Sequence, residues 1–409
     1  MADRVTVIGW DGSPLTAAAR SALGAATLVA GAPHHLDLPE VPPAAERIRL
    51  GSLDLAARRI VGHRGTAVVL ADGDPGFFGV VRTLRAPEHG LEVEVVPAVS
   101  SVAAAFARAG MAWDDARIVT AHSRDLRRAV NVCRAHSKVA VLTAPGAGPA
   151  ELALLLGPVH RTFVICEELG TDRERVTVLT SDKVADHTWR DPNVVLSIGG
   201  FASPVTQQAA WLAGGDTALA TGPRGWALPA QSYGGVLSEA ETAQLRATQL
   251  ARLGPRVGDL VWDIGCGSGA AAVEAARLGA AVIAVDRDPG ALVVAGDNAR
   301  RYGVQIQTVH GTAPHILEDL PEPDTIRIGG GGAPVVAACA ARRPERIVTH
   351  ARTRDGAEAV GRALTDGGYG VECALIQTVE LDTSQDTAWA ERQRDVGFFL
   401  CGHRIGRPL

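Results

Sequence analysis

The segment Asp263-Ile264-Gly265-Cys266-Gly267-Ser268-Gly269 joins a short apolar run to an Ala-rich helical pattern. Its three alternate glycines let the backbone turn tightly and bring bare N–H groups at a helix start against a ligand. Glycines alone fit nucleotides of many kinds, and two carboxylates narrow the choice. Asp286 closes the next strand pattern, where an acidic side chain accepts both ribose hydroxyls of an adenosine. Asp263 puts negative charge beside the loop, which repels a pyrophosphate and attracts the ammonium of a methionine moiety. Asp263, Gly265, Gly267, Gly269 and Asp286 therefore point to S-adenosylmethionine. A nicotinamide dinucleotide is the competing ligand, and a plain strand-to-helix turn is the reading without one.

Two further glycine clusters follow strand patterns. Gly311-Thr312-Ala313 stands where backbone and Thr312 can read an adenine edge, with a simple turn as the alternative. Gly329 and Gly330 open a run of four glycines at the carboxyl edge of a sheet, the ligand side of an open α/β sheet, with a hinge as the alternative.

The elements that must carry these residues read as α/β. In the first half, apolar runs at 4–9, 66–72, 93–96, 116–121, 138–143, 161–166 and 193–198 alternate with helical patterns at 15–28, 101–109, 125–135 and 149–156, with caps at Ser101 and Asp125. Continuous apolar strands between amphipathic helices imply a parallel or mixed sheet covered on both faces. The second half restarts the alternation with a helix at 239–253 and runs through strands at 259–265, 281–286, 305–310, 325–329 and 346–351. It ends in two long β-branched and aromatic segments, 371–381 and 396–405, which predict an antiparallel pair at one side of a Rossmann-like sheet. The expected domains are 1–205, a linker over 206–232, and 233–409.

Composition excludes several classes. The 409 residues carry 46% hydrophobic and 21% charged residues, as globular chains do. A formal charge of −5 without a basic stripe argues against a nucleic-acid partner. The six cysteines are scattered singly, which argues against a metal knuckle or disulfide framework and fits a reducing compartment. No apolar run reaches membrane-spanning length, because Glu274 and Arg277 break the longest, and the start has no leader pattern; a cytoplasmic protein without membrane or metal is expected.

Longer motifs resemble the precorrin-6Y C5,15-methyltransferase (decarboxylating) family of cobalamin biosynthesis, a fusion of two methyltransferases. VIGWDGSPLTAAAR, LADGDPGFFGVVRTL, VPAVSSVAAAFARAG, TAHSRD and CEELGTDRERV in the first half are similar to tetrapyrrole methylases. VWDIGCGSGAAAVEAARLG, VIAVDRD, HGTAPHIL and DTIRIGGGG in the second resemble the module that methylates C15 and decarboxylates the C12 acetate. The opening Gly9-Trp10-Asp11-Gly12 has one glycine fewer than the usual GxGxG form. The resemblance implies a first domain of two α/β subdomains, methylating C5, followed by a class I methyltransferase domain, with one S-adenosylmethionine in each. In the first domain it places that cofactor between the subdomains, at Gly9, at Asp74, Pro75, Gly76 and Phe77, and at Ser101. It further implies a tetrapyrrole substrate, precorrin-8 as product, and a homo-oligomer.

Methyl transfer from a sulfonium needs an electron-rich carbon held in line, so orientation and charge placement matter more than a protein nucleophile. No G-x-S-x-G elbow competes with this. Arg124, Arg82, Arg352 and Arg354 are candidate clamps for substrate carboxylates, and His122 and His350 are candidate proton carriers, each with an ordinary surface or structural role as the alternative. A methyltransferase for another small acidic molecule, a nicotinamide-dependent reductase and a nonenzymatic binding protein are the competing functions.

Overall fold

Aliphatic and β-branched runs of four to seven residues become the buried strands, because only paired backbone survives away from water. The computed structural model describes residues 4–122, 125–200, 213–214, 222–235, 242–382 and 389–406. The first sheet is wholly parallel, in the order β3-β2-β4-β1-β5, with β1 Arg4–Trp10, β2 Leu28–Gly31, β3 Glu46–Arg49, β4 Ala67–Asp72 and β5 Glu92–Val96. The second is mixed, in the order β6-β7-β10-β8-β9, with β6 Arg117–Thr120, β7 Lys138–Leu142, β8 Thr162–Glu167, β9 Arg175–Thr180 and β10 Asn193–Ile198. Only its β6–β7 pair is parallel.

The third sheet has seven strands in the order β13-β12-β11-β14-β15-β17-β16. They are β11 Leu260–Ile264, β12 Ala281–Asp286, β13 Gln307–His310, β14 Thr325–Ile328, β15 Arg346–Ala351, β16 Tyr369–Asp382 and β17 Ala390–Arg404. The first five run parallel, and β17 returns antiparallel beside β15 with β16 as its hairpin partner. Strand order reverses between β11 and β14, which opens a crevice at the carboxyl ends of these two strands. Both predicted α/β domains, the subdomain pair and the terminal antiparallel pair are present.

Helix starts follow local capping chemistry. Thr16, Ser52, Ser100, Thr242 and Thr353 each accept a backbone N–H one turn on. The cap of helix Ser101–Ala109 is therefore Ser100 and not Ser101, since Ser100 is still extended. The helix expected at 15–28 ends at Gly24, and Leu28 already belongs to β2. The start of the helix expected at 239 lies outside the described residues, as does most of the polar insert between β16 and β17; the described helix spans Ala243–Leu253.

The segment expected as linker differs most. Residues 222–235 strap onto the third sheet's helix Ala270–Arg277, whose Glu274 and Arg277 are fully buried. Glu274 accepts from Leu228 N (2.9 Å), the Tyr233 hydroxyl and Arg277, while Arg277 donates to the carbonyls of Pro223 (2.7 Å) and Gly225 (3.1 Å). The two charges that break the longest apolar run thus hold a polar strap inside the domain. Among the described residues no helix is long and apolar enough to cross a membrane.

The second unit also touches the C-terminal domain, through its helix Leu126–Ala135 and through Arg161. The buried Arg161 guanidinium donates to the carbonyls of Cys133 and Arg134 (each 3.0 Å) and to Gln305 Oε1 (2.5 Å), and Asn131 donates to Gly258 O (3.0 Å). Removing one partner of a buried ion pair leaves an uncompensated charge. Glu274→Ala should therefore lower the unfolding free energy of the C-terminal domain by about 3–5 kcal/mol in urea titrations followed by Trp262 fluorescence.

Candidate active sites

At the crevice of the third sheet, the ends of β11, β12, β13 and β14 enclose a cavity of about 370 Å³. Gly265, Asp286, Gly311, Thr312, Ala313, Gly329 and Gly330 line it, so the structure brings seven of the predicted cofactor residues together. Asp286, half-buried at the end of β12, accepts Gly267 N on one carboxylate oxygen (2.9 Å) and Asp288 N on the other (3.0 Å). Each oxygen keeps a lone pair, which suits a pair of vicinal hydroxyls.

The glycines act differently from expectation. The N–H groups of Gly265, Gly311 and Gly329 bond to the carbonyls of Val285, Asp286 and Ile264, and that of Gly269 to Cys266, so none of these bonds reaches toward a ligand. Their value is lack of bulk. A Cβ on Gly329 would lie 2.4 Å from Gly265 O, and one on Gly311 2.7 Å from the Ile316 side chain. Gly267 and Gly269 do not line the cavity: Gly267 holds Asp286, and Gly269 lets its helix pack on Ala295, where a Cβ would lie 2.5 Å from the Ala295 Cβ.

Asp263 is a second correction. Its carboxylate is 1% exposed and lies 2.8 Å from the Arg327 guanidinium, itself 3% exposed. Arg327 also donates to Gln249 Oε1 (3.3 Å) and Gly265 O (3.4 Å). The negative charge expected beside the loop is neutralised under it, because a lone buried carboxylate would be too costly. Burial pushes the Cys266 thiol up, and that of Cys339 up to about 12, which leaves both without thiolate character.

The first domain presents a cleft of about 310 Å³ between its two sheets. Asp74, Phe77 and Ser101 line it, together with Trp10, Asp11, His34 and Asp72 from the same side and Thr143, Glu168, Arg173 and Asn193 from the other. Gly9 is a packing position: a Cβ there would lie 2.3 Å from Gly73 O and 2.9 Å from Ala98 N, so both loops press on β1. Asp74 Oδ1 accepts Gly76 N at 2.8 Å and shapes the turn, while Pro75 and Gly76 stay outside the cleft. Phe77 and Phe78 meet edge to face, 4.7 Å between centroids, as a partly exposed apolar wall.

Sequence reasoning missed Asp11, whose carboxylate accepts Ser13 N (3.0 Å) and Val99 N (3.1 Å) and so ties the β1 loop to the loop after β5. Its signal was the acidic residue in place of a glycine after β1. It also missed His34 and Asp72: burial tends to raise the Asp72 carboxyl, yet the hydrogen bond from His34 and the His35 ring 3.0 Å away hold it well below the usual carboxylate range. The subdomains meet main chain to main chain, since a Cβ on Gly12 would lie 1.8 Å from Gly170 O and one on Gly170 2.0 Å from Asp11 O.

Neither cleft collects the predicted proton carriers. His122 is exposed and away from the first cleft, and His350, at the end of β15, does not line the second. Arg124 lies outside the described residues. Arg82 and Arg352 are exposed outside both clefts, and Arg354 pairs with Glu358 at 2.9 Å along its helix.

An open sheet with a glycine-floored crevice and a carboxylate at the end of its second strand, preceded by two α/β units around a cleft, is the layout of a two-domain S-adenosylmethionine-dependent methyltransferase, and the family matches agree. Residues 10–185 match the family described as Tetrapyrrole (Corrin/Porphyrin) Methylases, and residues 238–390 the Precorrin methyltransferase domain. A precorrin-6Y C(5,15)-methyltransferase [decarboxylating] from Sinorhizobium sp is 34% identical over 85% of this chain and 84% of that protein. The chain belongs to the precorrin-6Y C(5,15)-methyltransferase (decarboxylating) family. Two shorter relatives match part of it. A cobalt-precorrin-7 C(5)-methyltransferase from Salmonella typhimurium is 35% identical over 40% of this chain and 82% of its own length. A probable cobalt-precorrin-6B C(15)-methyltransferase (decarboxylating) from Pyrobaculum calidifontis is 36% identical over 33% of this chain and 73% of its own.

Hydrogen bonds to a charged group contribute about 1.5–3 kcal/mol, so Asp286→Ala should weaken S-adenosylmethionine binding to the second domain roughly 10- to 100-fold by calorimetry. Asp263→Ala should instead strand Arg327, showing mainly as lost stability in thermal unfolding.

Proposed function

We propose that this chain methylates a precorrin ring at C5 with its first domain and at C15 with its second, which also removes the C12 acetate as CO2. The observation that carries this reading is the presence of two separate clefts, one of about 310 Å³ between the first two sheets and one of about 370 Å³ at the carboxyl ends of β11, β12, β13 and β14. The residues present fit one S-adenosylmethionine in each. In the second, Asp286 suits the ribose, and the Cβ-free floor of Gly265, Gly329 and Gly330 admits the amino-acid tail. In the first, the Asp11-bridged loops and the Gly12–Gly170 contact hold the two walls at a fixed spacing. The bound cofactor supplies the methyl group on a sulfonium. The protein's own part is to orient the ring carbon, exclude water along the Phe77–Phe78 wall and place charge.

The domain limits proposed are 1–205 for C5 methylation and 233–409 for C15 methylation, with the strap of residues 222–235 counted with the second. The scattered cysteines, free at all six positions, support a cytoplasmic protein. The net charge of −5 supports a small-molecule substrate and no nucleic-acid partner. The β16–β17 hairpin exposes Leu375, Val379 and Trp389, which supports association with further copies of the chain.

Incubated with precorrin-6B and S-adenosylmethionine, the full chain should consume two methyl equivalents and release one CO2, followed by mass spectrometry. Asp286→Ala should slow C15 methylation and CO2 release together. Addition of a single methyl by the wild-type chain would sink the assignment of one domain.

A further inference from the structure

His34, His35 and Asp72 meet at the rim of the first cleft. His34 Nε2 lies 2.8 Å and His35 Nε2 3.0 Å from the same Asp72 oxygen, and the three groups fall within 4.8 Å of one another. That spread is also the spread of a metal site, and the His35 ring decides between the two readings. Its Nδ1 accepts Ala32 N at 3.2 Å, so the neutral ring carries its hydrogen on Nε2 and has no lone pair there for a cation. The ring is 1% exposed and packs edge-on to Trp10, 5.8 Å between centroids, which fixes its direction.

An ionised carboxylate only accepts, so His34 also presents Nε2–H to Asp72, and its Nδ1 is left as the basic nitrogen. His34 differs from His35 in exposure: its side chain is 37% exposed and lines the cleft with Asp72. An exposed imidazole oriented by a carboxylate that sits against a second, buried imidazole is the arrangement of an oriented general base.

We propose that His34 is the proton acceptor of the first cleft, with Asp72 and His35 as its positioning residues. This rests on the reading of that cleft as a carbon methyltransferase site. Replacing a carbon-bound hydrogen by methyl must release a proton. The S–CH3 bond breaks with its pair going to sulfur, and the new C–C bond forms from the ring's π electrons. The C–H pair then returns to the π system as the proton passes to His34 Nδ1. The products are the methylated ring, S-adenosylhomocysteine and a protonated imidazole that returns its proton to water.

Charge around His34 supports the role. The hydrogen bond to Asp72 raises the His34 pKa against the downward push of burial, with Asp72, Asp37 and Glu168 adding negative potential. Asp11, Asp74 and Arg173 also line the cleft, and His35 shares the Asp72 oxygen. The base works when neutral. The C5 methylation rate should therefore rise with pH through a value above that of an ordinary imidazole, then level off.

The test uses the full chain and separates C5 from C15 methylation by mass spectrometry and NMR of the product. His34→Gln should slow C5 methylation about 10²- to 10⁴-fold in kcat and flatten its pH profile. KM should change little and C15 methylation not at all, which reports that the variant is folded. Asp72→Asn should shift the profile to lower pH. In the protein alone, ¹⁵N-histidine spectra should show His34 with Nδ1 unprotonated and titrating above free imidazole, a value that Asp72→Asn lowers. An active wild type whose His34→Gln form keeps its rate and pH profile would overturn this assignment alone. A wild type that adds no methyl at C5 would overturn it together with the functional reading.

Discussion

Under the second cleft, a buried carboxylate and a buried guanidinium hold two strands in step. Asp263 on β11 and Arg327 on β14 lie 2.8 Å apart across the point where the strand order reverses, and Arg327 reaches up to the carbonyl of Gly265. Parallel neighbours at this position have no connecting turn to fix their ends. The pair supplies that registration, and Gly265 and Gly329 are then close enough that a Cβ on the latter would meet the former's oxygen. A mobile or unpaired Asp263 would leave the crevice floor without a defined height. At this cleft charge is therefore placed in two layers: a neutral pair below, and Asp286 with Arg287 above, where a ligand meets them.

Much of this arrangement was legible in the sequence. The residues at β-strand ends were readable because an open sheet gathers such groups at the carboxyl edge; hence residue type and strand position together placed Asp286, Thr312 and Gly329 at the crevice they line. Side-chain direction and pairing were not readable. Nothing local to Asp263 names Arg327, which is 64 residues away and becomes its neighbour only through β11–β14 pairing. Likewise the glycines were credited with offering N–H groups, whereas continued strand pairing consumes several of those donors before a ligand arrives.

The strands that escaped notice have a common cause. β3 and β9 are edge strands with largely exposed residues, and β2 is four residues long directly after a helix, so none shows a clear buried period. Missing β2 also hid the His34-His35 turn that follows it, and with it the groups around Asp72. The strap at 222–235 escaped for the opposite reason. Its glycines and prolines read as linker, yet its carbonyls and the Tyr233 hydroxyl are the partners that allow Glu274 and Arg277 to be buried. Composition describes what a segment is made of, and a buried charge elsewhere decides what it is needed for.

The glycine contact between the first two units has a consequence for how such a cleft can change. Gly12 and Gly170 abut through peptide atoms, with no side chain between them. A spacer built from main chain has no rotamers to exchange and no methylene to gain or lose, so the aperture behaves as a rigid gauge. Substitutions along the walls alter which ring contours and charges are welcome, while this contact offers no side chain through which the gap could be tuned. Adaptation to a differently decorated macrocycle is thereby confined to wall chemistry.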